Sequence, residues 1–298
     1  MSEHILVTGA SGFSGALICK HLLTKGYHIT AVMGCNKSLL PLSTKSYSNL
    51  KIVSADLSQD FSIPNGISTV VHTAARSAWT GVTTEDMVRD NVIATQNLIN
   101  SALETGVSRF IQFSSLSVYG QIEADVVDQN TPIFNPDVYG VTKHLCEQML
   151  ESAATGTMSC LAIRLPGIIG PGSLRNWLST SLARAKRGED LSVYNKTAKF
   201  NNAVHINDLA VFIEKIINNG WLGYDAGPLG AGGLTSAGEV VKMLVHAGGN
   251  KSKIITDNFP KKSYTISSDW AIQKYEYQPT YITEMIEKFI IENNSIKN

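Results

Sequence analysis

A doubly wound α/β fold is what this sequence predicts: a parallel sheet covered by helices on both faces, with a smaller, discontinuous lobe built from the C-terminal part. Three observations predict it. Short, continuous apolar runs alternate with longer stretches of helical period through the first half of the chain. A glycine-rich turn follows the first apolar run and opens the first helical stretch. Past Arg164 the alternation loosens into Pro166, Gly167, Gly170, Pro171 and Gly172, a marked change of direction. With 298 residues, 43% of them hydrophobic, the chain can bury one large core, or one core with a smaller lobe.

Taken in order, residues 5–7, 29–33, 51–55, 69–71, 110–113 and 159–163 read as buried parallel strands. Between the first two, Phe13, Leu17, Ile18, His21, Leu22 and Leu23 recur at helix spacing. Val88, Val92, Thr95, Leu98, Ile99 and Ala102 repeat the pattern and predict one long amphipathic helix. Beyond the Pro/Gly cluster, the spacing predicts a helix over 176–186, a short strand at 203–206 and a helix from Asp208 to residue 217. Ser236-x-x-Glu239 has the form of a capping box, and Ile282, Met285, Ile286, Phe289 and Ile290 mark the last helix.

Lys plus Arg (25) balances Asp plus Glu (25), and the charges are scattered, which argues against nucleic acid or an anionic membrane surface as a partner. The four cysteines, Cys19, Cys35, Cys146 and Cys160, form no Cys-x-x-Cys, so neither a zinc site nor a disulfide framework is indicated. A reducing, cytoplasmic setting is the expectation. The apolar run after Met1-Ser2-Glu3-His4 is too short for a leader core, and no later stretch is long enough to span a bilayer.

Thr8-Gly9-Ala10-Ser11-Gly12-Phe13-Ser14-Gly15 is the turn between first strand and first helix. Its glycines permit a tight turn and let backbone approach a pyrophosphate, while the helix N-terminus offers free N–H groups to phosphate. Gly9, Ser11, Gly12, Phe13 and Gly15 are therefore candidate contacts to a dinucleotide, and the fold expectation becomes Rossmann-type. Residues 1–165, with a returning segment at about 200–230, are expected to form the dinucleotide-binding domain. Residues 166–199 and 231–298 are expected to form the substrate lobe, placed at the carboxyl edge of the sheet where such folds bind ligands.

The Gly-x-x-Gly-x-x-Gly spacing resembles that of the extended short-chain dehydrogenases/reductases, the NAD-dependent epimerase/dehydratase group. Four further stretches match in order: Asp56-Leu57, His72-Thr73-Ala74-Ala75, Ser114-Ser115-Leu116-Ser117-Val118-Tyr119-Gly120 and Tyr139-Gly140-Val141-Thr142-Lys143. The match runs from residue 4 to about 210. The resemblance implies that Asp56 and Leu57 contact adenine, that Thr73, Ala74 and Ala75 wall the cofactor, and that Ser115, Tyr139 and Lys143 are catalytic. Tyr139 and Lys143 also count as cofactor contacts, as do Asn91 and Pro166. Asn91 either braces the active site as the family's Asn does or caps its helix, and in His205-Ile206-Asn207-Asp208 the aspartate is expected to cap the next helix. Tyr119 reads as packing or pocket wall, and His72 as a strand-end residue.

The chemistry can be derived beside the resemblance. Tyr139 and Lys143, one helical turn apart, share a face. A free tyrosine titrates near ~10, so a useful base at neutral pH needs roughly 4 kcal/mol of preferential stabilisation of its phenolate, which a cationic neighbour favours. Such a side chain removes a proton from a hydroxyl as hydride leaves the carbon, or returns one on reduction. Ser115, at the end of the fifth strand, would bond the same oxygen.

Departures from the family pattern narrow the reading. At the end of the second strand, Gly34-Cys35-Asn36-Lys37 offers neither an acid for ribose hydroxyls nor an Arg for a 2′-phosphate, so Asn36 and Lys37 are the candidate contacts and both NAD and NADP remain open. Leu116 and Ser117 stand where the dehydratases carry adjacent Asp and Glu, which excludes dehydration of the sugar. Gly167 replaces an expected Asn and Asn201 an expected Arg; Asn201, Arg175 and Ser115 are the candidate substrate contacts, with Arg184, Arg187, Lys199 and Lys261 as further cations for a diphosphate. The leading expectation is 4-epimerisation of a nucleotide-diphospho-sugar through a 4-keto intermediate. Reduction of a 4-keto sugar, reduction of a non-sugar carbonyl compound, and a non-catalytic cofactor sensor stand as alternatives. A homodimer is expected, pairing helices 90–104 and 139–152 through Val92, Leu98, Leu145 and Met149.

Overall fold

The computed structural model describes residues 3–34, 47–154, 156–257 and 262–295. The chain divides into two compact units: residues 1–121, 132–164 and 213–227 form the first, and residues 122–131, 165–212 and 228–298 the second.

The first unit is built on a seven-stranded sheet. Its strands are β1 (His4–Thr8), β2 (His28–Met33), β3 (Leu50–Ser54), β4 (Thr69–His72), β5 (Arg109–Ser115), β7 (Ser159–Leu165) and β12 (Tyr224–Pro228), in the order β12-β7-β5-β4-β1-β2-β3. Pairing is parallel, with Thr8 opposite both Val32 and His72. The chain order reverses between β1 and β4, the point in such sheets where a crevice opens at the strand ends. Ile5, Leu6 and Val7 have no exposed surface because helices cover both faces, which is why the strand is apolar throughout rather than alternating.

Helices α1 (Phe13–Thr24), α3 (Ala94–Glu104) and α4 (Val138–Ala153) belong to this unit. The core beneath α3 and α4 joins Leu98, Ile99 and Ala102 to Phe110, Leu150 and Cys160. The single long helix expected from the apolar spacing is instead three pieces. A short α2 (Thr84–Met87) is opened by a capping box between Thr83 and Asp86, a π-helical turn covers Val88–Ile93, and α3 follows. The expected apolar face holds through α3, where Thr95, Leu98, Ile99 and Ala102 are buried, while Val88 at the start of the π turn is exposed. Of the expected dimer contacts Leu98 is buried in the core, Val92 and Met149 are half-buried and Leu145 is exposed.

The second unit carries the short strands β6 (Val126–Val127), β8 (Gly167–Ile169), β9 (Leu191–Tyr194), β10 (Lys199–Phe200), β11 (Ala203–His205), β13 (Thr235–Ser236), β14 (Ile254–Asp257) and β15 (Thr265–Ile266). They pair two by two, β8 with β11 and β9 with β14 in parallel. Helices α5 (Trp177–Lys186), α7 (Ala237–Ala247), α8 (Asp269–Tyr275) and α9 (Ile282–Ser295) complete it. Leu182, Val193, Val241, Leu244, Met285 and Phe289 fill its own core. Ser236 caps α7 by accepting the Glu239 N–H. Helix α6 (Ile206–Asn219) begins before Asp208, which corrects the expected cap: the Asp208 carboxylate accepts from the N–H and hydroxyl of Thr280 at 2.9 Å each. Among the described residues no helix is long and apolar enough to cross a membrane.

Candidate active site

At the carboxyl end of β1 the chain turns through Gly9 at φ +65°, a left-handed backbone that only glycine adopts without cost. A Cβ at Gly9 would lie 2.7 Å from the Ala74 nitrogen, and one at Gly15 would lie 2.4 Å from the Gly9 carbonyl oxygen. These two glycines therefore let the turn, α1 and the segment after β4 close on one another. Gly12 differs. A Cβ there would meet only the Gly9 oxygen, at 3.2 Å, so its other sides are open. Gly12 is the N-cap of α1, with no side chain capping the helix and no acid in its first turn. An uncapped helix start beside an open glycine fits a phosphate-bearing ligand, since the unpaired N–H groups and the positive helix end need an anion.

Thr73 turns its hydroxyl back to the Thr8 carbonyl at 2.8 Å, which ties the segment after β4 to the end of β1. Ala74 is half-buried and Ala75 exposed beside it. Asp56, exposed past the end of β3, accepts from the Ser58 N–H and hydroxyl, which draws its pKa down, while Leu57 is buried in the core. Asn36, Lys37 and Lys261 lie outside the described residues.

His72 joins this loop to the π turn. Thr95 donates its hydroxyl to the Asn91 carbonyl, so it can only accept from His72 Nε2, at 3.0 Å. His72 Nδ1 is then the acceptor for the Thr8 hydroxyl at 2.7 Å. Burial and the nearby Lys143 charge push the His72 pKa down to about 3, so the ring is neutral and structural.

Asn91 is buried in the π turn, and its amide is fully used. Oδ1 accepts the Arg76 N–H at 2.7 Å, and Nδ2 donates to the Arg76 carbonyl and to Thr142 Oγ1 at 3.0 and 3.1 Å. It braces the segment after β4 against α4. Helix capping falls to Thr83.

Asp137 caps α4 by accepting the Gly140 N–H at 2.7 Å. A Cβ at Gly140 would fall 2.1 Å from the Ser117 carbonyl oxygen, so glycine is what lets α4 seat against the turn Leu116–Tyr119. That contact brings Tyr139 beside Ser115, close enough for the serine hydroxyl to favour the phenolate. Ser114, the neighbouring hydroxyl, is spent on Glu147. Lys143, one turn along α4, is almost wholly buried.

The electrostatics differ from expectation in one respect. Tyr139 lies above its ordinary pKa, because burial penalises the phenolate more than the Ser115 hydrogen bond favours it. Lys143 is itself pushed down by burial. In the protein alone, Tyr139 thus carries its proton.

Sequence reasoning missed the residues beneath this group. Glu147 and Arg164 form a buried ion pair, with Arg164 Nη2 2.8 Å from Glu147 Oε2 and the guanidinium 4.9 Å above the ring of the buried Tyr119. An arginine inside the apolar run Leu161-Ala162-Ile163-Arg164-Leu165 was a legible signal that a buried anion waits opposite.

In the second unit, Asn201 corrects another expectation. Its Nδ2 donates to the carbonyls of Ala231 and Ile266, and its Oδ1 accepts the Ile266 N–H at 2.8 Å, so it clamps backbone and has nothing left for a substrate. Gly167 sits where a Cβ would lie 3.1 Å from Asn176 Cβ, so the expected Asn would require Asn176 to shift by a few tenths of an ångström. Arg175 is exposed. Pro166 is half-buried just before β8. This unit also holds a cleft of about 280 Å³ whose lining includes Trp177, Tyr194, Lys199, Phe200 and Tyr264. Flat aromatic walls with a nearby cation suit a planar ring carrying an anionic group.

The model of the NAD dependent epimerase/dehydratase family matches residues 5–224. The chain belongs to that family. It is an NAD(P)-dependent enzyme of the extended short-chain dehydrogenase/reductase type. A UDP-glucose 4-epimerase of Bacillus subtilis is 28% identical over 283 residues, covering 83% of each chain. A 3 beta-hydroxysteroid dehydrogenase/Delta 5-->4-isomerase of Mycobacterium tuberculosis is 32% identical over 224 residues, 70% of this chain but 59% of that one. Among solved structures, MoeE5 in complex with UDP-glucose and NAD superposes with a TM-score of 0.80 at 25% identity, covering 97% of this chain and 98% of that one.

Proposed function

We propose that this enzyme is a nucleotide-sugar 4-epimerase working through a 4-keto intermediate. The observation that carries the reading is Tyr139, beside Ser115 and one turn from the buried Lys143, in the unit that holds the uncapped glycine turn. A bound oxidised nicotinamide supplies a hydride acceptor and a positive charge. Tyr139 Oη then receives the proton of the ring hydroxyl as that carbon becomes a carbonyl, and gives it back when hydride returns to the other face. Ser115 bonds the same substrate oxygen, and the Lys143 charge favours the phenolate. Leu116 and Ser117 leave no acid pair for elimination of water. The 4-epimerase relative, and the neighbour bound to UDP-glucose and NAD, support a sugar nucleotide as substrate. The aromatic cleft of the second unit is the candidate seat for the base, with Lys199 and Arg175 for the diphosphate.

A second reading, oxidation or reduction of a non-sugar carbonyl compound, is favoured by Asn201 and Gly167, neither of which can serve a diphosphate sugar as the family's Asn and Arg do. The hydroxysteroid dehydrogenase relative supports it. Mass spectrometry of the denatured, purified protein together with NMR of a UDP-glucose incubation separates the two. Retained NAD and interconversion of UDP-glucose and UDP-galactose are expected. A protein without dinucleotide that consumes NADPH on a keto compound, and leaves UDP-glucose unchanged, sinks the epimerase.

The reading includes a homodimer. Ile93, Leu103, Val141 and Leu145 are exposed apolar side chains on the π turn, α3 and α4, the kind of surface a closed two-fold contact covers. Light scattering at micromolar concentration is expected to give twice 32.3 kDa, and a mass of one chain refutes the dimer.

A further inference from the structure

Tyr139, Lys143 and Glu147 stand at successive turns of one face of α4. Glu147 is fully buried, and it is gripped from two strands: Arg164 of β7 donates Nε and Nη2 to its carboxylate at 3.1 and 2.8 Å, and Ser114 of β5 donates its hydroxyl. We propose that Glu147 is a positioning residue for the catalytic group: its carboxylate, held by Arg164 and Ser114, pins α4 to the tip of β5 and sets a negative charge facing Lys143.

The pinning follows from the strand. Ser114 and Ser115 are consecutive, so their side chains point to opposite faces of β5. Ser114 reaches α4 at Glu147, two turns along the helix from Tyr139, which lies beside Ser115. The Ser114–Glu147 bond therefore ties the strand end to the helix that carries Tyr139 and Lys143.

The charge argument is independent. Lys143 is buried, and burial favours its neutral form; Glu147 and Cys146 on its own helix oppose that. From other elements, His72 of β4 faces it as a neutral ring, Arg164 of β7 and Tyr119 face the carboxylate, and His144 Nδ1 stands 3.7 Å from Glu147 Oε2. Burial would raise the Glu147 carboxyl, but His144, Arg164 and Ser114 outweigh it and hold the group below its ordinary pKa, ionised. A buried ion pair of this kind often adds nothing net to stability over an apolar pair of equal volume. Its place beneath Lys143 gives it a use that stability does not.

The inference rests on the hydride-transfer reading of Ser115, Tyr139 and Lys143, and its test has a readout that needs no substrate. In protein labelled with 13Cε-lysine, the Lys143 resonance is identified by its loss in Lys143→Met and titrated. Glu147→Gln is expected to move its midpoint down by about one pH unit. Turnover of UDP-glucose is expected to fall roughly ten- to a hundredfold with the KM for cofactor unchanged, and the alkaline limb of the pH profile to move with Lys143. Glu147→Gln leaves the Arg164 charge unpaired, so the neutral pair Glu147→Gln/Arg164→Met is measured beside it and is expected to fold while showing the same losses. A folded double variant with the wild-type Lys143 midpoint and wild-type turnover overturns the proposal. Tyr139→Phe run in parallel keeps the two readings apart. If it is inactive while the Glu147 variants are fully active, only the role of Glu147 is refuted. If it turns over normally the hydride-transfer reading fails, and the Lys143 midpoint still decides what Glu147 does.

Discussion

In the unit built on the large sheet, the buried Glu147 is held by side chains from two strands, Ser114 and Arg164; in the second unit the buried Asn201 closes on backbone alone. Asn91, Thr142, His72, Thr95, Ser114, Glu147 and Arg164 form two side-chain networks that converge from below on Tyr139 and Lys143. Asn201 and Asp208, which the family pattern would turn toward a substrate and a helix end, instead hold the segments at Ile266 and Thr280. The difference bears on where the proposed chemistry sits and on which side chains remain for a substrate. Networks of side chains preorganise a reacting group, because each member fixes the rotamer of the next. Side chains spent on backbone hold a loop in place.

The largest effect expected on this contrast is at the glycine turn. Gly9→Val puts branched carbons against Ala74 at a backbone angle that valine cannot hold, so folded variant is expected to show no calorimetric binding of NAD. Unchanged affinity would remove the turn from the site. Next comes Tyr139→Phe, which keeps the ring and deletes the proton carrier. Turnover is expected to fall by about two to four orders of magnitude with NAD affinity retained, the usual scale of acid–base catalysis. Because burial holds Tyr139 above its ordinary pKa, wild-type oxidation is expected to quicken as pH rises through the neutral range, and a flat profile would remove proton transfer from the slow step.

His72 tests the same networks through stability. Its folded pKa of about 3 lies below the ordinary histidine value of 6.5. Between those values the unfolded chain binds the extra proton, so stability is complete above pH 6.5 and is lost as pH falls toward 3. Fully expressed, the loss is about 4–5 kcal/mol, taking ~1.4 kcal/mol per pH unit. Urea midpoints are expected to drop between pH 6.5 and 4 in wild type, and to drop less in His72→Asn. Equal slopes would place the titrating groups elsewhere.

Much of the first unit was legible in the sequence for a physical reason. Strands buried on both faces are written as apolar runs, and a phosphate turn needs glycines at fixed spacing, so Ile5-Leu6-Val7 and Gly9 to Gly15 announce themselves. Ser115, Tyr139 and Lys143 could be proposed from the sequence because hydride transfer coupled to proton transfer calls for such side chains. The π turn at Val88–Ile93 was not, since a one-residue insertion leaves apolar spacing almost unchanged; its trace is Val88, expected on the apolar face but exposed, while Leu98 of the same repeat is buried. The Thr83–Asp86 box was the available sign that the helix begins earlier. In the second unit the strands are two to four residues long, and partners such as Asn201 and Ile266 are far apart in the chain, so no local pattern marks them.

The smallest expected effect is the one that decides what that second unit does. Asn201→Ala strips hydrogen bonds from the Ile266 N–H and from the carbonyls of Ala231 and Ile266, all in a region closed to water. Leaving such groups unsatisfied costs about 1–3 kcal/mol. If Asn201 is a clamp, the variant loses that much stability in urea, and its affinity for UDP, measured calorimetrically on the folded fraction, stays within about twofold of wild type, a difference of roughly 0.4 kcal/mol. If it is instead a diphosphate ligand standing in for the family's arginine, the order reverses: stability is nearly kept and UDP affinity falls tenfold or more, about 1.4 kcal/mol. The second outcome would return the Asn201 amide to the substrate and weaken the case for a non-sugar carbonyl compound. The first would leave Lys199, Arg175 and the aromatic cleft as the groups on which any diphosphate must depend.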